Sequence, residues 1–157
     1  MDIFLNDITL ERINFFDENK IQYIQLLSEQ ESISKYLPAL KDGIPITKNI
    51  GYFSSHYVVK KNGNMIGYCY LSHPFNRKNK NVTEIRYAID ENNQGNGIGK
   101  DLVNQTSDFI INNTDIDGIM AVIDKDNQIS KHIIESSNFH KTDVNEIEGE
   151  EYTRFRI

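Results

Sequence analysis

The stretch that decides the fold is "AIDENNQGNGIGKDLV", residues 88–103. Three alternate glycines, Gly95, Gly97 and Gly99, separate a β-like run from an amphipathic run. Glycine inside an element is destabilising relative to alanine, because it has more backbone freedom to lose on folding. Three together need a cause: a tight turn of the backbone, or the close approach of something to it. A strand running into a glycine loop and then a helix is the geometry of an anion site. The first N–H groups of a helix lack intrahelical partners, and the helix dipole places partial positive charge there.

Reading outward, "VTEIRYAID" (82–90) before the glycines is a strand. After them Ile98, Leu102, Val103, Phe109 and Ile110 recur at helical spacing and predict a helix over about 97–112. "GIMAVID" (118–124) is nearly continuous in apolar residues, as suits a strand covered on both faces. "NQISKHIIESS" (127–137) predicts a helix capped by Asp126 or Asn127, and "FHKTD" and "EEYTRFRI" predict two strands around an acidic loop.

Upstream, "ITLERIN" (8–14) reads as a strand. "DENKIQYIQLLSEQ" (17–30) reads as a helix with Asp17 as N-cap and Ile21, Ile24 and Leu27 on one stripe. "ESISKYL" (31–37) predicts a short helix that stops before Pro38, and 38–54 a loop or broken helix. Asn62-Gly63 between "HYVVKK" and "NMIGYCYL" is a strong hairpin signal, and "SHPFNRKNKN" (72–81) reads as a polar, basic connection. The order is that of one mixed α/β domain spanning 1–157, with seven strands and four helices.

Composition bounds the function. A chain of 157 residues, 38% hydrophobic and 25% charged, can bury a single core of ordinary soluble type. No apolar run reaches membrane-spanning length, and "MDIFLNDITLER" lacks the basic start of a leader, so a cytoplasmic protein with no membrane partner is expected. One cysteine, Cys69, cannot form an internal disulfide and is most simply a small buried residue. The net charge of −6 argues against nucleic acid as the main partner and permits a cationic one. His56, His73, His132 and His140 are scattered without metal-ligand spacing, so no metal is expected.

Two common phosphate motifs fit the glycines poorly. A nucleotide-triphosphate loop of the GxxxxGK[ST] type needs glycine where Gln94 stands and a hydroxyl where Asp101 stands. A dinucleotide fingerprint needs GxGxxG, whereas the spacing here is GxGxG. A third pattern fits. "QGNGIG" (94–99) resembles the Q/R-x-x-G-x-G/A signature of the GNAT family of N-acetyltransferases. "NQISKHIIESSNF" (127–139) resembles that family's second signature, and the element order resembles the family fold from first strand to last.

The resemblance implies a mixed, mostly antiparallel sheet of about seven strands, splayed between the fourth and fifth. It implies acetyl-CoA as co-substrate and a primary amine as acceptor. Backbone amides of Gln94, Gly95, Asn96, Gly97, Ile98, Gly99 and Lys100 would hold the coenzyme A diphosphate. Tyr87, Ala88 and Ile89 would bond the pantetheine arm through their backbone, with Asn127 touching it from the other side. The Lys100 side chain either adds charge near phosphate or is simply solvated.

Acetyl transfer to an amine needs a neutral amine, a stabilised oxyanion and a tolerated thiolate. An alkyl amine with a pKa of about 10 is only on the order of 0.1% neutral at pH 7, so a base is useful. Glu84 stands where several family members carry a catalytic glutamate; it fits that role, working through water or with a raised pKa, and equally fits a salt bridge to Arg86. A backbone N–H near Tyr87 or Ala88 would hold the oxyanion. Many relatives carry a tyrosine seven residues after the asparagine of the second signature, where this chain has Ile134. The subgroup that acetylates ribosomal-protein N-termini often has a serine three after it, which Ser130 matches, and the opening "LERINFFDENK" resembles that subgroup too. Ser130 would bond the departing sulfur, or else bond its own helix. Asn138 replaces the usual glycine before Phe139 and tolerates the left-handed conformation a helix stop needs.

In this family the first two helices, the loop after them and the last hairpin wall the acceptor side. Asp143, Glu146, Glu148, Glu150 and Glu151 on that hairpin would favour a polyamine, an aminoglycoside or a basic peptide N-terminus if they face the pocket; otherwise they form a solvated loop. Tyr36, Tyr52 and Phe53 either line the pocket or pack in the core. A non-catalytic acyl-CoA-binding sensor or assembly module is the alternative reading, which the missing tyrosine supports. A homodimer is compatible with the chain.

Overall fold

The computed structural model describes residues 2–14, 16–42, 55–145 and 149–157. The elements are β1 (Ile3–Phe4), β2 (Ile8–Arg12), α1 (Glu18–Ser28), α2 (Glu31–Tyr36), β3 (Ser55–Lys61), β4 (Asn64–Leu71), β5 (Phe75–Arg77), β6 (Lys80–Ile89), α3 (Ile98–Asn113), β7 (Gly118–Ile123), α4 (Gln128–Glu135), β8 (His140–Asn145) and β9 (Gly149–Phe155). The sheet runs β1-β2-β3-β4-β6-β7-β9-β8, with β5 paired to β6. Every pairing is antiparallel except that of β6 with β7, where α3 makes the crossover that a parallel pair requires.

The strand count exceeds the expected seven by β1 and β5. β1 has two residues and β5 three, too short for alternation to show, and β5 lies inside the segment expected to be a polar connection. The hairpin between β3 and β4 turns at Asn62 and Gly63, both at positive φ (52° and 79°), as the tight hairpin turn demands. A short 3-10 turn, Pro38–Asp42, follows α2 and buries Leu40. The rest of the loop expected over 38–54 lies outside the described residues, as do Tyr52 and Phe53.

Residues directly opposite across a ladder share a face, and the sheet has two covered faces. On one, Ile85, Ile89, Ile119, Ala121 and Ile123 pack with Leu102, Val103 and Ile110 of α3 and Ile134 of α4. On the other, Val58, Tyr68 and Ala88 pack with Ile24 and Leu27 of α1 and Ile33 of α2. β7 is buried along most of its length, as its continuous apolar run requires. Leu102 and Ile134 are wholly buried, and truncating either to alanine would cost about 2–5 kcal/mol.

Polar contacts fix where α1 and α2 sit. Asp17 occupies the cap position of α1 without capping it; its carboxylate accepts from the Asn14 N–H instead and pairs with Lys20. The Tyr23 hydroxyl and Gln30 Nε2 donate to Asp90, and the Ser32 N–H and hydroxyl donate to Glu91 Oε1. The Glu91 N–H donates in turn to Gln30 Oε1. The corner between α1 and α2 is thereby tied to the chain leaving β6.

Candidate functional site

β6 changes partners along its length, and this opens the site. Val82, Thr83 and Glu84 pair with Gly118, Ile119 and Met120 of β7. From Ile85 to Ile89 the same strand pairs only with β4, while β7 runs on beside β9. A gap therefore opens between the second halves of β6 and β7. Alternation decides which backbone groups face it. The Ser72 N–H donates to the Glu84 carbonyl and the Asp90 N–H to the Ile66 carbonyl, so even-numbered residues of β6 bond toward β4. Tyr87 and Ile89 consequently turn their N–H and C=O groups to the gap. Ala88, expected to act there through its backbone, instead turns its own toward Tyr68 of β4. Unpaired main-chain groups on a strand edge bind an amide-bearing partner as an added strand would.

The glycine stretch follows at the end of β6. The Gln94 side chain donates to the Ile89 carbonyl at 2.9 Å, which pins the loop to the strand. Gly95 and Gly97 have φ of +83° and +76°, and a Cβ at either would meet nothing within 4 Å. Their requirement is conformational, and the space around them is open. Gly99 differs: a Cβ there would sit 2.9 Å from Ile133 Cδ1, so its absence lets the start of α3 pack against the second half of α4. Gly97 is the N-cap of α3 and no side chain caps it. The Asp101 N–H is the first to bond back, to the Gly97 carbonyl, which leaves those of Ile98, Gly99 and Lys100 without an intrahelical carbonyl. Gln94, Asn96 and the Lys100 side chain are exposed beside them.

The start of α4 lies on the other side of the gap. Asn127 caps it, its Oδ1 accepting from the Ser130 N–H at 3.2 Å, while its amide N–H groups remain for a ligand. The Ser130 hydroxyl bonds the Tyr87 hydroxyl at 2.8 Å, a contact between α4 and β6. Burial pushes the Tyr87 phenol up to about 12, so it is protonated at neutral pH. Ile134, where many relatives carry tyrosine, is wholly buried in the core. Asn138 has φ of +65°, in line with its expected left-handed stop.

On the sheet face under α1 and α2, Glu84, Arg86 and Ala88 alternate with the gap-facing residues. Glu84 Oε2 accepts from Arg86 Nε at 3.0 Å; the carboxylate is mostly covered, 12% exposed, and the guanidinium 54%. Register places His56 opposite Tyr70, and Tyr70 opposite Arg86, on this same face. His56 Nδ1 and the Tyr68 hydroxyl lie 2.7 Å apart, and the His56 and Tyr70 ring centroids 4.8 Å apart. Burial holds the His56 imidazole at about 4, hence neutral at physiological pH. The sequence separates His56 from these tyrosines, and only the β3–β4 register reveals the cluster. Cys69 is fully buried beneath the opposite face, its thiol pushed up to about 12 by burial.

The acidic residues of the last hairpin are largely spent within the chain. Asp143 pairs with Arg77 and Lys78, Glu151 with Arg77, and Glu150 with Lys131 and Lys141. These pairs weaken the pull that Asp143, Glu150 and Glu151 would exert on a cation; Glu146 and Glu148 lie outside the described residues. The Tyr36 hydroxyl donates to the Asp126 carbonyl, joining α2 to the loop before α4. Among the described residues no group of three or more His, Cys, Asp or Glu is placed to hold a metal ion. Among them no helix is long and apolar enough to cross a membrane.

Comparison with known proteins adds the following. A family model described as an acetyltransferase (GNAT) domain matches residues 8–140. No curated protein matches the chain. Among solved structures, a ribosomal L7/L12 alpha-N-protein acetyltransferase in complex with coenzyme A is 16% identical, with 99% of this chain and 98% of that one covered and a TM-score of 0.80. An aminoglycoside acetyltransferase, AAC(6')-Ib, in complex with coenzyme A is 16% identical, with 95% of each chain covered and a TM-score of 0.77. A ribosomal-protein-S5-alanine acetyltransferase from Vibrio fischeri is 16% identical, with 99% and 97% covered and a TM-score of 0.75.

Proposed function

Because the chain belongs to the GNAT acetyltransferases, we propose that it moves an acetyl group from acetyl-CoA to a primary amine by direct attack on the thioester. The observation that carries this reading is the juxtaposition of two sets of main-chain groups that the sheet and the helix leave unpaired. The gap-facing edge of β6 suits the amides of a pantetheine arm, and the uncapped start of α3 suits a diphosphate. Asn127 would reach the arm through its side-chain amide, and Lys100 lends a positive charge beside the phosphates.

In the reaction the amine nitrogen bonds to the thioester carbon and the carbon–sulfur bond breaks, the electron pair leaving on sulfur. The Tyr87 N–H, turned to the gap, would donate to the carbonyl oxygen as it gains charge. Glu84 would take the amine proton, directly or through water, on Oε1, the oxygen Arg86 does not hold. Ser130 would donate to the departing sulfur.

The acceptor would enter over the face that carries Glu84, Arg86, Tyr68, Tyr70 and His56. Small amines, polyamines and peptide or protein N-termini all present the required nitrogen. Solved relatives include one with an aminoglycoside bound and a spermidine acetyltransferase chimera. The rival reading, a module that holds acyl-CoA without turnover, draws on Ile134, which offers no proton to sulfur.

Release of free thiol from acetyl-CoA across a panel of amines separates the two. Turnover is expected, and Glu84→Gln should lower kcat on the order of 100-fold at neutral pH while leaving coenzyme A affinity unchanged. Tight binding with no thiol released by any amine would favour the module.

A further inference from the structure

The Ser130 hydroxyl differs from several serine hydroxyls in and just after the helices of this chain. Those of Ser28, Ser34, Ser136 and Ser137 each donate to a carbonyl three or four residues back, the usual resting place of a helical serine. Ser130, three residues into its helix from the cap, makes its hydrogen bond across the gap to Tyr87 on β6 instead. The Tyr87 ring is held for this contact. Its side chain lies on the α3 and α4 face, packed against the core there, with Cε2 only 3.8 Å from where a Gly99 Cβ would be.

We propose that Tyr87 is a positioning residue for the leaving group: its phenol donates to Ser130 Oγ and so directs the serine proton into the gap, toward the sulfur. This rests on the acetyl-transfer reading above. The two hydroxyls, one from each side of the gap, take the place of the single phenol that Ile134 lacks.

The chemistry follows from the donor order. Both hydroxyls carry a proton and either can donate across the 2.8 Å contact; in the proposed order the phenol donates and the serine oxygen accepts. The serine proton, no longer shared with its own helix, then points at whatever lies in the gap. As the carbon–sulfur bond breaks, the electron pair on sulfur is stabilised by that hydrogen bond. Neither hydroxyl need lose its proton, since the amine proton leaves toward Glu84 and solvent. A donor chain of two hydroxyls polarises along its length, which strengthens the terminal bond to a charged acceptor.

The test uses Tyr87→Phe, which removes one oxygen and keeps the ring, alongside Ser130→Ala and the double variant. Wild-type thiol release tests the acetyl-transfer reading by itself. For the variants, the expected result is a drop in kcat of about tenfold for Tyr87→Phe, with KM for acetyl-CoA within about twofold. The double variant should be no worse than Ser130→Ala, because both changes break one chain of donors.

A second readout needs no turnover. Coenzyme A is bound to each protein and its thiol titrated by the ultraviolet absorbance of the thiolate. The bound thiol should ionise about one pH unit lower in the wild type than in Tyr87→Phe. Unchanged kcat and unchanged thiol ionisation in Tyr87→Phe would overturn the proposal, as would a loss confined to KM or additive costs in the double variant.

Discussion

At the start of α4 the Asn127 side chain accepts from the Ser130 N–H, whereas the start of α3 carries only Gly97, which has no side chain to cap it. Both starts border the same gap, yet their donors are used differently. α4 satisfies itself and gains local stability, since a good cap stabilises by about 1 kcal/mol. α3 forgoes that contribution and leaves the N–H groups of Ile98, Gly99 and Lys100 without an intrahelical carbonyl. A helix three turns longer than its own first turn, packed through Leu102, Val103 and Ile110, tolerates the loss. The difference teaches that the start proposed to face the ligand is the one the fold can leave unsatisfied, because its stability comes from the buried stripe further along.

The largest effect should come from giving the start of α3 a charged side chain. Gly97→Asp puts a carboxylate where a diphosphate is proposed to lie, and aspartate is among the residues that tolerate positive φ. Acetyl-CoA affinity should fall on the order of 100-fold in a titration, since like charges at contact cost several kcal/mol. The protein should stay folded by circular dichroism. Unaltered affinity would break the contrast between the two starts.

At α4 two substitutions separate cap from ligand contact. Asn127→Asp keeps the acceptor oxygen and removes the amide donors, so stability should hold while acetyl-CoA affinity weakens about tenfold. Asn127→Ala removes both, and the lost cap should lower Tm by about 2–4 °C, the shift expected for about 1 kcal/mol in a chain of this size. Thermal melts with and without acetyl-CoA check the pair.

A smaller effect is expected where the start of α3 meets the body of α4. Gly99→Ala brings a methyl group against Ile133 Cδ1, the movable end of a side chain, and should destabilise by about 1 kcal/mol. Ile133→Val in the same chain should restore most of that, measured by urea unfolding. Gly95 and Gly97 would show no such rescue, since φ and not packing constrains them.

The smallest effect lies away from both helices. The unfolded chain protonates His56 at its ordinary value of 6.5, but the buried ring resists until about 4. Its contribution to stability is therefore present above about 6.5 and is lost as the pH falls toward about 4. His56→Gln cannot titrate, so its Tm should fall less across that window than the wild type's, while acetyl-CoA binding is unaffected.

Much of this was legible in the sequence, for stated physical reasons. Long periodic segments declared themselves: Ile98, Leu102 and Val103 in α3, and the continuous run of β7. Asn62-Gly63 fixed a hairpin because few residues accept its dihedral angles. Gly97 and the cap at Asp126 or Asn127 came from local spacing, which survives folding, while Ser130 came from the resemblance to the family's second signature. What stayed hidden needs register or distance. Tyr87 and Ser130 are brought together only by the crossover between β6 and β7, and His56 meets Tyr68 only through the β3–β4 ladder. The pairing of Arg77 with Asp143 and Glu151 depends on a three-residue strand that no periodicity reveals. The three glycines looked equivalent as letters, and only the neighbours of each position distinguish turn from packing.

The proposal stands most directly on the diphosphate at the start of α3. Calorimetry on the wild-type protein with acetyl-CoA, and separately with S-acetylpantetheine, which has the same arm and thioester but lacks the diphosphate and the nucleoside beyond it, tests that contact. Saturable heat with acetyl-CoA and affinity for the shorter compound weaker by a factor on the order of 100 is the predicted result. Equal affinity for the two, or no heat with either from folded protein, would contradict it.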